Sequence, residues 1–382
     1  MKAEFFQEQV SSLLSMVAAG QGDEAEQATV LPVASFMDPT VLAREKAMFR
    51  RMPLIVGHSS ELANAGDYFV REIDQRSWLI VRGDDGLARA FYNYCQHRGT
   101  KLVQDEGGEC QRRFVCPYHA WTYNSSGRLI GVPRADLFPG LDKSSKGLKQ
   151  VGLQEAFGLL WLIQDAAEDQ AVDAYLGGLA DEFAALGLAD YHLYFDRTRS
   201  LQANWKFPLF AFLESYHLAV LHKQSIGDYF IENMALSEVM DPHIRSFVPR
   251  QNVHELADAD LESAELNDYV TPTNIVFPNV CMIGHPTSVS ILTMWPGERP
   301  DQSTWRHMLL TPKKPETDAE RAHYDKTIRV LDEMTYEKED FWVSEQLQQG
   351  ITAGAIDEML LSKNEFLIKQ FSDFVSQSLA SD

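Results

Sequence analysis

Cysteine is scarce, four residues in a chain of 382, and a chain of this length buries a core without disulfide staples; clustered cysteine with nearby histidine suggests metal before disulfide. Basic residues are also few, 34 Lys and Arg against 55 Asp and Glu, for a formal charge of −21. Such a surface repels phosphate backbones and anionic lipid, so neither nucleic acid nor membrane is expected as a partner. No apolar run reaches the length of a bilayer span. The apolar patch from Leu13 to Gly20 follows Glu4 and Glu8 rather than the positive charges of a secretory leader, and a cytoplasmic location is expected. Internal repeats and low-complexity tracts are missing too, which sets aside solenoids and disordered arrays. What remains, 45% hydrophobic and 23% charged residues, is an ordinary globular balance.

Phe5, Phe6, Val10, Leu13, Leu14 and Val17 recur at helical spacing and predict an amphipathic helix packed on the body. Residues 46–163 then read as short strands and turns. Tyr68-Phe69-Val70 and Trp78-Leu79-Ile80-Val81 are β-rich, Asp85-Gly86 marks a hairpin, and Asn124-Ser125-Ser126-Gly127 marks another turn. Phe157 to Ile163 reads as a buried closing strand. The polar, acidic stretch from Gln164 to Gln170 is the expected boundary. The chain thus divides into residues 1–45, 46–163 and 164–382. In the last segment, Asn274 to Pro278 and Ser288 to Trp295 look like sheet, and Thr317-Asp318-Ala319-Glu320 is a capping box that opens a long helical stretch. A further amphipathic helix is expected from about Asp357 to Leu379.

Three of the chemistry-bearing residue types concentrate in two places. The first is Cys95-Gln96-His97-Arg98-Gly99 followed by Cys116-Pro117-Tyr118-His119. Two short loops each offer one cysteine and one histidine within a strand-rich segment. A Rieske cluster needs this inventory, two thiolates on one iron and two imidazoles on the other. Two cysteines and two histidines would also satisfy a structural zinc ion, although this is not the usual finger spacing. Cys110 and Cys281 read as ordinary small residues.

The second place is Glu214-Ser215-Tyr216-His217, followed by His222. Glu214 and His217, three apart, would share a helix face, whereas His217 and His222, five apart, can meet only if the helix ends or widens between them. Two histidines and one carboxylate with open positions are the ligand set of non-haem Fe(II) oxygenases. Asp332, Glu333, Glu337, Glu339, Asp340 and Glu345 all qualify by type as the carboxylate, and spacing does not choose among them.

Together the motifs Cys-x-His-Arg-Gly, Cys-x-x-His, Asn204-Trp205-Lys206, Glu-x-x-His-x-x-x-x-His and Glu339-Asp340-Phe341-x-x-x-Glu345-Gln346-x-Gln348-x-Gly350 resemble the α subunits of Rieske non-haem iron oxygenases, the ring-hydroxylating oxygenase family. The resemblance implies an α+β chain: an all-β Rieske domain plus a helix-grip catalytic domain of antiparallel sheet and helices. It implies that Cys95, His97, Cys116 and His119 hold a 2Fe–2S cluster and that His217, His222 and Asp340 hold a mononuclear Fe(II). It makes Glu214 a bridge between subunits of a head-to-tail trimer, with or without a β subunit. The implied partners are O2, a small-molecule substrate, and a reductase that draws electrons from NAD(P)H, with or without a ferredoxin. Many aromatic dioxygenases carry aspartate at the bridging position. Glutamate is similar to oxygenases of quaternary amines such as carnitine or glycine betaine. Where relatives often carry an acid and Asn after Asn-Trp-Lys, this chain has Phe210-Ala211.

The leading expectation is oxygenation of an aromatic or other apolar molecule, supported by Phe207, Phe210 and Phe212 around the iron segment. The alternative within the family is oxidation of a quaternary ammonium compound. Two further classes compete: a pure electron carrier, which needs no iron beyond the cluster, and a zinc-stabilised interaction protein, which would be colourless.

Overall fold

The computed structural model describes residues 2–165 and 171–380, so part of the acidic boundary stretch, residues 166–170, lies outside the described residues. Two units emerge, one of Phe49–Tyr175 with Gly187–Asp190, the other of Met1–Met48, Leu176–Leu186 and Tyr191–Asp382.

The first unit is built almost wholly of antiparallel strands. A seven-stranded sheet runs in the order Leu54–His58, Leu159–Ile163, Gln150–Ala156, Ala88–Tyr92, Arg76–Arg82, Tyr68–Ile73 and Gly107–Gly108. A second sheet joins Arg113–Val115, Thr122–Asn124 and Leu129–Gly131. The Asp85-Gly86 turn links its two strands as a hairpin, with Gly86 at φ 79°. The closing strand begins two residues later than its apolar run, because Phe157 and Gly158 take the positive φ values, 54° and 76°, of the turn before it. Tyr68, Leu79, Phe91, Phe114, Trp121 and Tyr123 form one core cluster, and Cys95 and Cys116 belong to it.

Gly127 shows how tightly that core is set. It sits at φ 77°, and a Cβ there would come within 2.4 Å of Phe91 Cε1. Gly127→Ala should therefore cost about 3 kcal/mol, backbone strain and overpacking together. A melting midpoint unchanged from wild type would contradict this.

The second unit centres on a seven-stranded antiparallel sheet: His192–Leu201, Ser303–Thr311, Val289–Pro296, Val280–Gly284, Val270–Val276, His243–Pro249 and Leu236–Met240. Sheet and helices together give the mixed α+β class expected. The N-terminal helix Gln7–Ala19 buries Val10 and Leu13, with Phe6 before it, against Phe247, Val253, Leu266 and Val270. The capping box at Thr317 and Glu320 opens Asp318–Ile328, which continues as a π-helix, Arg329–Asp340, and then Phe341–Thr352.

One expected helix is corrected at its start. Glu358–Leu361 is a strand, not helix, and pairs with Thr29–Pro32. Leu360, which a helix over this stretch would place in its apolar stripe, is 75% exposed. The helix proper is Phe366–Ala380, preceded by a capping box in which Glu365 accepts the Ser362 N–H (2.8 Å). A distant partner strand outweighed local periodicity.

The Asn204-Trp205-Lys206 motif turns out to be a tie within this unit. The Asn204 N–H donates to Gln348 Oε1 (2.9 Å), and its amide donates to the carbonyls of Phe36 (3.1 Å) and Pro300 (3.0 Å). Trp205 Nε1 donates to Glu45 Oε2 (2.9 Å), and Lys206 forms a buried ion pair with the same carboxylate. Phe207 and Phe210 pack with Phe36, and Phe210 with Phe371, so these two phenylalanines are core.

Candidate metal centres

In the first unit, two loops repeat one backbone design. The Cys95 N–H donates to Thr100 O (2.9 Å) and the Gly99 N–H to Cys95 O (2.9 Å); likewise the Cys116 N–H donates to Trp121 O (2.8 Å) and the Ala120 N–H to Cys116 O (3.0 Å). Each loop turns through a residue of positive φ, Gly99 at 79° and Ala120 at 55°. The cysteines end up buried, whereas His97 is half-buried and His119 exposed. Tyr123 Oη lies 3.3 Å from Cys95 Sγ and accepts the Gln96 N–H (2.9 Å). Burial pushes the Cys95 thiol up, the direction a bound cation must overcome. The two imidazoles stand together, ring centroids 4.8 Å apart, with His97 stacked on Trp121 at 4.7 Å.

Among the described residues, the one group of three or more donors that converges within 4.8 Å is elsewhere. The Cys95, His97, Cys116 and His119 atoms do not close on the single point that a tetrahedral zinc ion requires. A cluster with two irons, thiolates inside and imidazoles at the rim, suits that wider spacing.

The converging group is His217, His222 and Asp340, in the second unit. Glu214 and His217 are neighbours, but not on a helix face as the spacing suggested. The chain leaves the short helical segment Ala211–Leu213, Glu214 is extended (φ −153°, ψ 167°), and its carboxylate accepts the His217 N–H (3.1 Å). His217 and His222 then cap the two ends of the four-residue helix Leu218–Leu221. A helix this short removes the five-residue spacing problem.

Asp340 is the last residue of the π-helix. Its Oδ1 lies 3.3 Å from His222 Nε2 and 3.9 Å from His217 Nε2, and the two Nε2 atoms lie 3.1 Å apart. Carboxylates hold the opposite ring nitrogens: Glu214 at His217 Nδ1, and Glu339 at His222 Nδ1 (2.7 Å). Ser225 Oγ donates to that Glu339 oxygen. With the Nδ1 protons so engaged, both Nε2 lone pairs point at one another and at Asp340 Oδ1, which is buried and has no hydrogen-bond donor. Three acceptors facing one point within 4.8 Å of one another fit a divalent cation. Burial alone would lower the His222 pKa, but Asp340 and Glu339 outweigh it and raise it.

The other carboxylates considered are engaged differently. Asp332 meets Arg197 (3.1 Å), Arg199 (2.9 Å) and His307 (3.1 Å); Glu337 pairs with Arg199; Glu345 accepts the Gln202 N–H (3.0 Å); Glu333 is exposed. Glu339 was not separable from them in sequence, and its adjacency to Asp340 is the one signal that pointed toward it.

The triad opens onto a cavity of about 370 Å³. Phe212, Leu218, Ile226, Val248, Ile283 and Tyr336 supply much of its wall, and so does Ala211, the second residue of the Phe210-Ala211 pair that replaces the acid and Asn of many relatives.

The sequence of residues 188–381 matches the family model for the ring-hydroxylating α subunit, catalytic domain. The chain belongs to that family. Residues 52–142 match the Rieske 2Fe-2S domain, the kind that carries the cluster, as the catalytic domain carries mononuclear iron. Among curated relatives of this α subunit, the glycine betaine monooxygenase oxygenase subunit of Chromohalobacter salexigens is 31% identical over 63% of this chain and 52% of its own. The carnitine monooxygenase oxygenase subunit of Escherichia coli K12 is 34% identical over 52% and 53%. The biphenyl 2,3-dioxygenase α subunit of Rhodococcus jostii is 29% identical over 54% and 47%. The chain thus spans about half the length of the curated relatives it matches. Its fold is shared with a quaternary ammonium Rieske monooxygenase (TM-score 0.79, 22% identity, 91% of this chain and 95% of that one). It is shared equally with a naphthalene 1,2-dioxygenase from Rhodococcus (TM-score 0.76, 20% identity, 98% of each).

Proposed function

We propose that this chain is the oxygen-activating component of a Rieske oxygenase. Supplied with electrons from NAD(P)H by a separate reductase, it oxygenates a small, largely apolar organic molecule. The observation that carries this reading is the convergence of His217, His222 and Asp340, three acceptors within 4.8 Å of one another, on the wall of an apolar cavity. In the other unit Cys95, Cys116, His97 and His119 would hold the 2Fe–2S cluster. The chemistry the metals supply when bound is single-electron delivery and reduction of O2. The protein's own part is positional. Glu214 and Glu339 keep protons on the Nδ1 atoms and leave each Nε2 free to bind; the apolar wall excludes water and holds the substrate beside the open positions.

Glu214 is given a second task, linking His217 to a cluster histidine of a neighbouring subunit in a head-to-tail homotrimer. Glu214→Gln should lower reductase-supported turnover roughly 10- to 100-fold, the usual cost of losing a ligand's carboxylate partner. The visible spectrum should stay intact, and turnover per bound iron should fall beyond any loss of iron itself. If turnover falls only in proportion to lost iron, the residue supports a ligand and nothing more.

A second reading, oxidation of a quaternary ammonium compound, draws on the likeness to betaine and carnitine monooxygenases, on Glu214, and on the aromatic side chains Phe212, Tyr229, Phe230 and Tyr336 around the cavity. Metal analysis should find one iron beyond the cluster pair, and reductase-dependent O2 uptake with a panel of arenes and trimethylammonium compounds decides between the two readings. No uptake with either, in protein carrying its full iron, would overturn the proposal.

A further inference from the structure

Charge is unevenly distributed around the cavity. The acids on its wall, Glu214 and Asp340, belong to the metal end; the other charged side chains there are Arg250 and Lys326. Arg250 is the more constrained. It follows directly on the strand His243–Pro249, its N–H donates to Tyr269 O (2.9 Å), and it bridges to Phe230, over whose ring its guanidinium lies at 5.9 Å. Among the described residues one side-chain bond engages the guanidinium, from Nη2 to Thr271 Oγ1 (3.1 Å). Its Nε is buried with no partner, and so is the hydroxyl of Ser288, another wall residue. No carboxylate among the described residues pairs with Arg250; Asp268 acts on it only at longer range. Elsewhere in this unit, buried arginines are matched, Arg245 by Glu182 and Glu238, and Arg306 by Asp196. A desolvated guanidinium held by its backbone and left without an anion is costly unless something brings one.

We infer that Arg250 is the anchor for a carboxylate on the substrate, and that the enzyme selects small monocarboxylates whose oxidised carbon faces His217, His222 and Asp340 in the same cavity. Thr271 orients the guanidinium, and the fork of donors it presents is the geometry that carboxylates accept. His285, on the same wall, adds no competing charge, because burial holds its pKa down at about 3 and it is neutral at physiological pH. The inference rests on the cavity being the oxygenation site proposed above. It deepens that reading by one functional group: two bodies meet the requirement, an aryl alkanoate and a betaine-type zwitterion.

The test is equilibrium binding to the iron-loaded protein, measured by calorimetry with 3-phenylpropionate and γ-butyrobetaine, each beside its methyl ester. At least one acid should bind about tenfold or more tightly than its ester, the worth of one desolvated charge-assisted pair. Arg250→Gln should abolish that preference while leaving ester binding unchanged, and Arg250→Lys should restore part of it. Which acid binds identifies the body. Equal binding of acids and esters by the wild-type protein, or an Arg250→Gln variant that weakens both alike, overturns the anchor. O2 uptake, followed separately on whichever acid binds, keeps the two proposals apart: binding without uptake would sink the oxygenase reading and leave the anchor standing.

Discussion

His222→Ala should give a protein that keeps its cluster and loses its mononuclear iron. The reason is geometric. His222 Nε2 lies within 3.3 Å of both other acceptors of the triad, and its ring is held from behind by Glu339, itself steadied by Ser225. Two remaining donors cannot hold Fe(II) against water. The loops of Cys95 and Cys116 lie in the other unit and share no residue with this site, so the red-brown absorption should persist. Turnover should fall at least about a thousandfold, since the step that meets O2 has lost its centre. Asp340→Ala should behave alike, and Glu339→Gln more mildly, by roughly 10- to 100-fold in iron affinity. A His222→Ala protein that retains both full iron and turnover would refute the assignment of the triad.

Glu45→Ala should be among the most destabilising single changes in the chain without touching either metal site. Lys206 and Glu45 are nearly inaccessible, with side chains 4% and 2% exposed, and the same carboxylate accepts from Trp205 Nε1. Burial drives the Lys206 pKa down, and the Glu45 carboxylate opposes that shift. Removing the carboxylate strands an ammonium in the interior, at a cost of about 3–5 kcal/mol. That is a large share of the roughly 5–15 kcal/mol that holds a domain folded. Replacing both partners with apolar residues of similar size should recover most of the loss, because the expense lies in the unpaired charge. Chemical denaturation of the single and double variants measures both. A single variant within about 1 kcal/mol of wild type would show that water reaches Lys206 after all.

These two outcomes also mark how far the sequence could be read. Cys95 with His97 and Cys116 with His119 were legible because each pair lies within one tight loop, where chain connectivity alone keeps two donors close. The helical reading of Glu214 and His217 had the neighbours right and the conformation wrong: Glu214 is extended, and its carboxylate reaches the His217 backbone and ring from outside the helix. The strand Glu358–Leu361 was read as helix because its apolar spacing serves either period, and its partner, Thr29–Pro32, lies more than three hundred residues away in sequence. Phe207 and Phe210 were candidates for the substrate wall and are core, while Phe212, two residues on, faces the cavity.

By itself the sequence determined the inventory of donors, the mixed fold, the order of the two motifs and the family they belong to. All of these depend on residue types at short separations, where covalent geometry restricts what the chain can do. Only the tertiary structure put Asp340, which residue spacing could not pick from six acids and the resemblance only implied, beside the two histidines; it alone decided that Glu339 backs one of them, that Asn204-Trp205-Lys206 is a buried tie, and that no carboxylate among the described residues pairs with Arg250 on the cavity wall. Each of those is a contact between segments far apart in the chain. Such contacts are set by strand register and by which charges the core leaves unpaired, and local pattern carries no record of either.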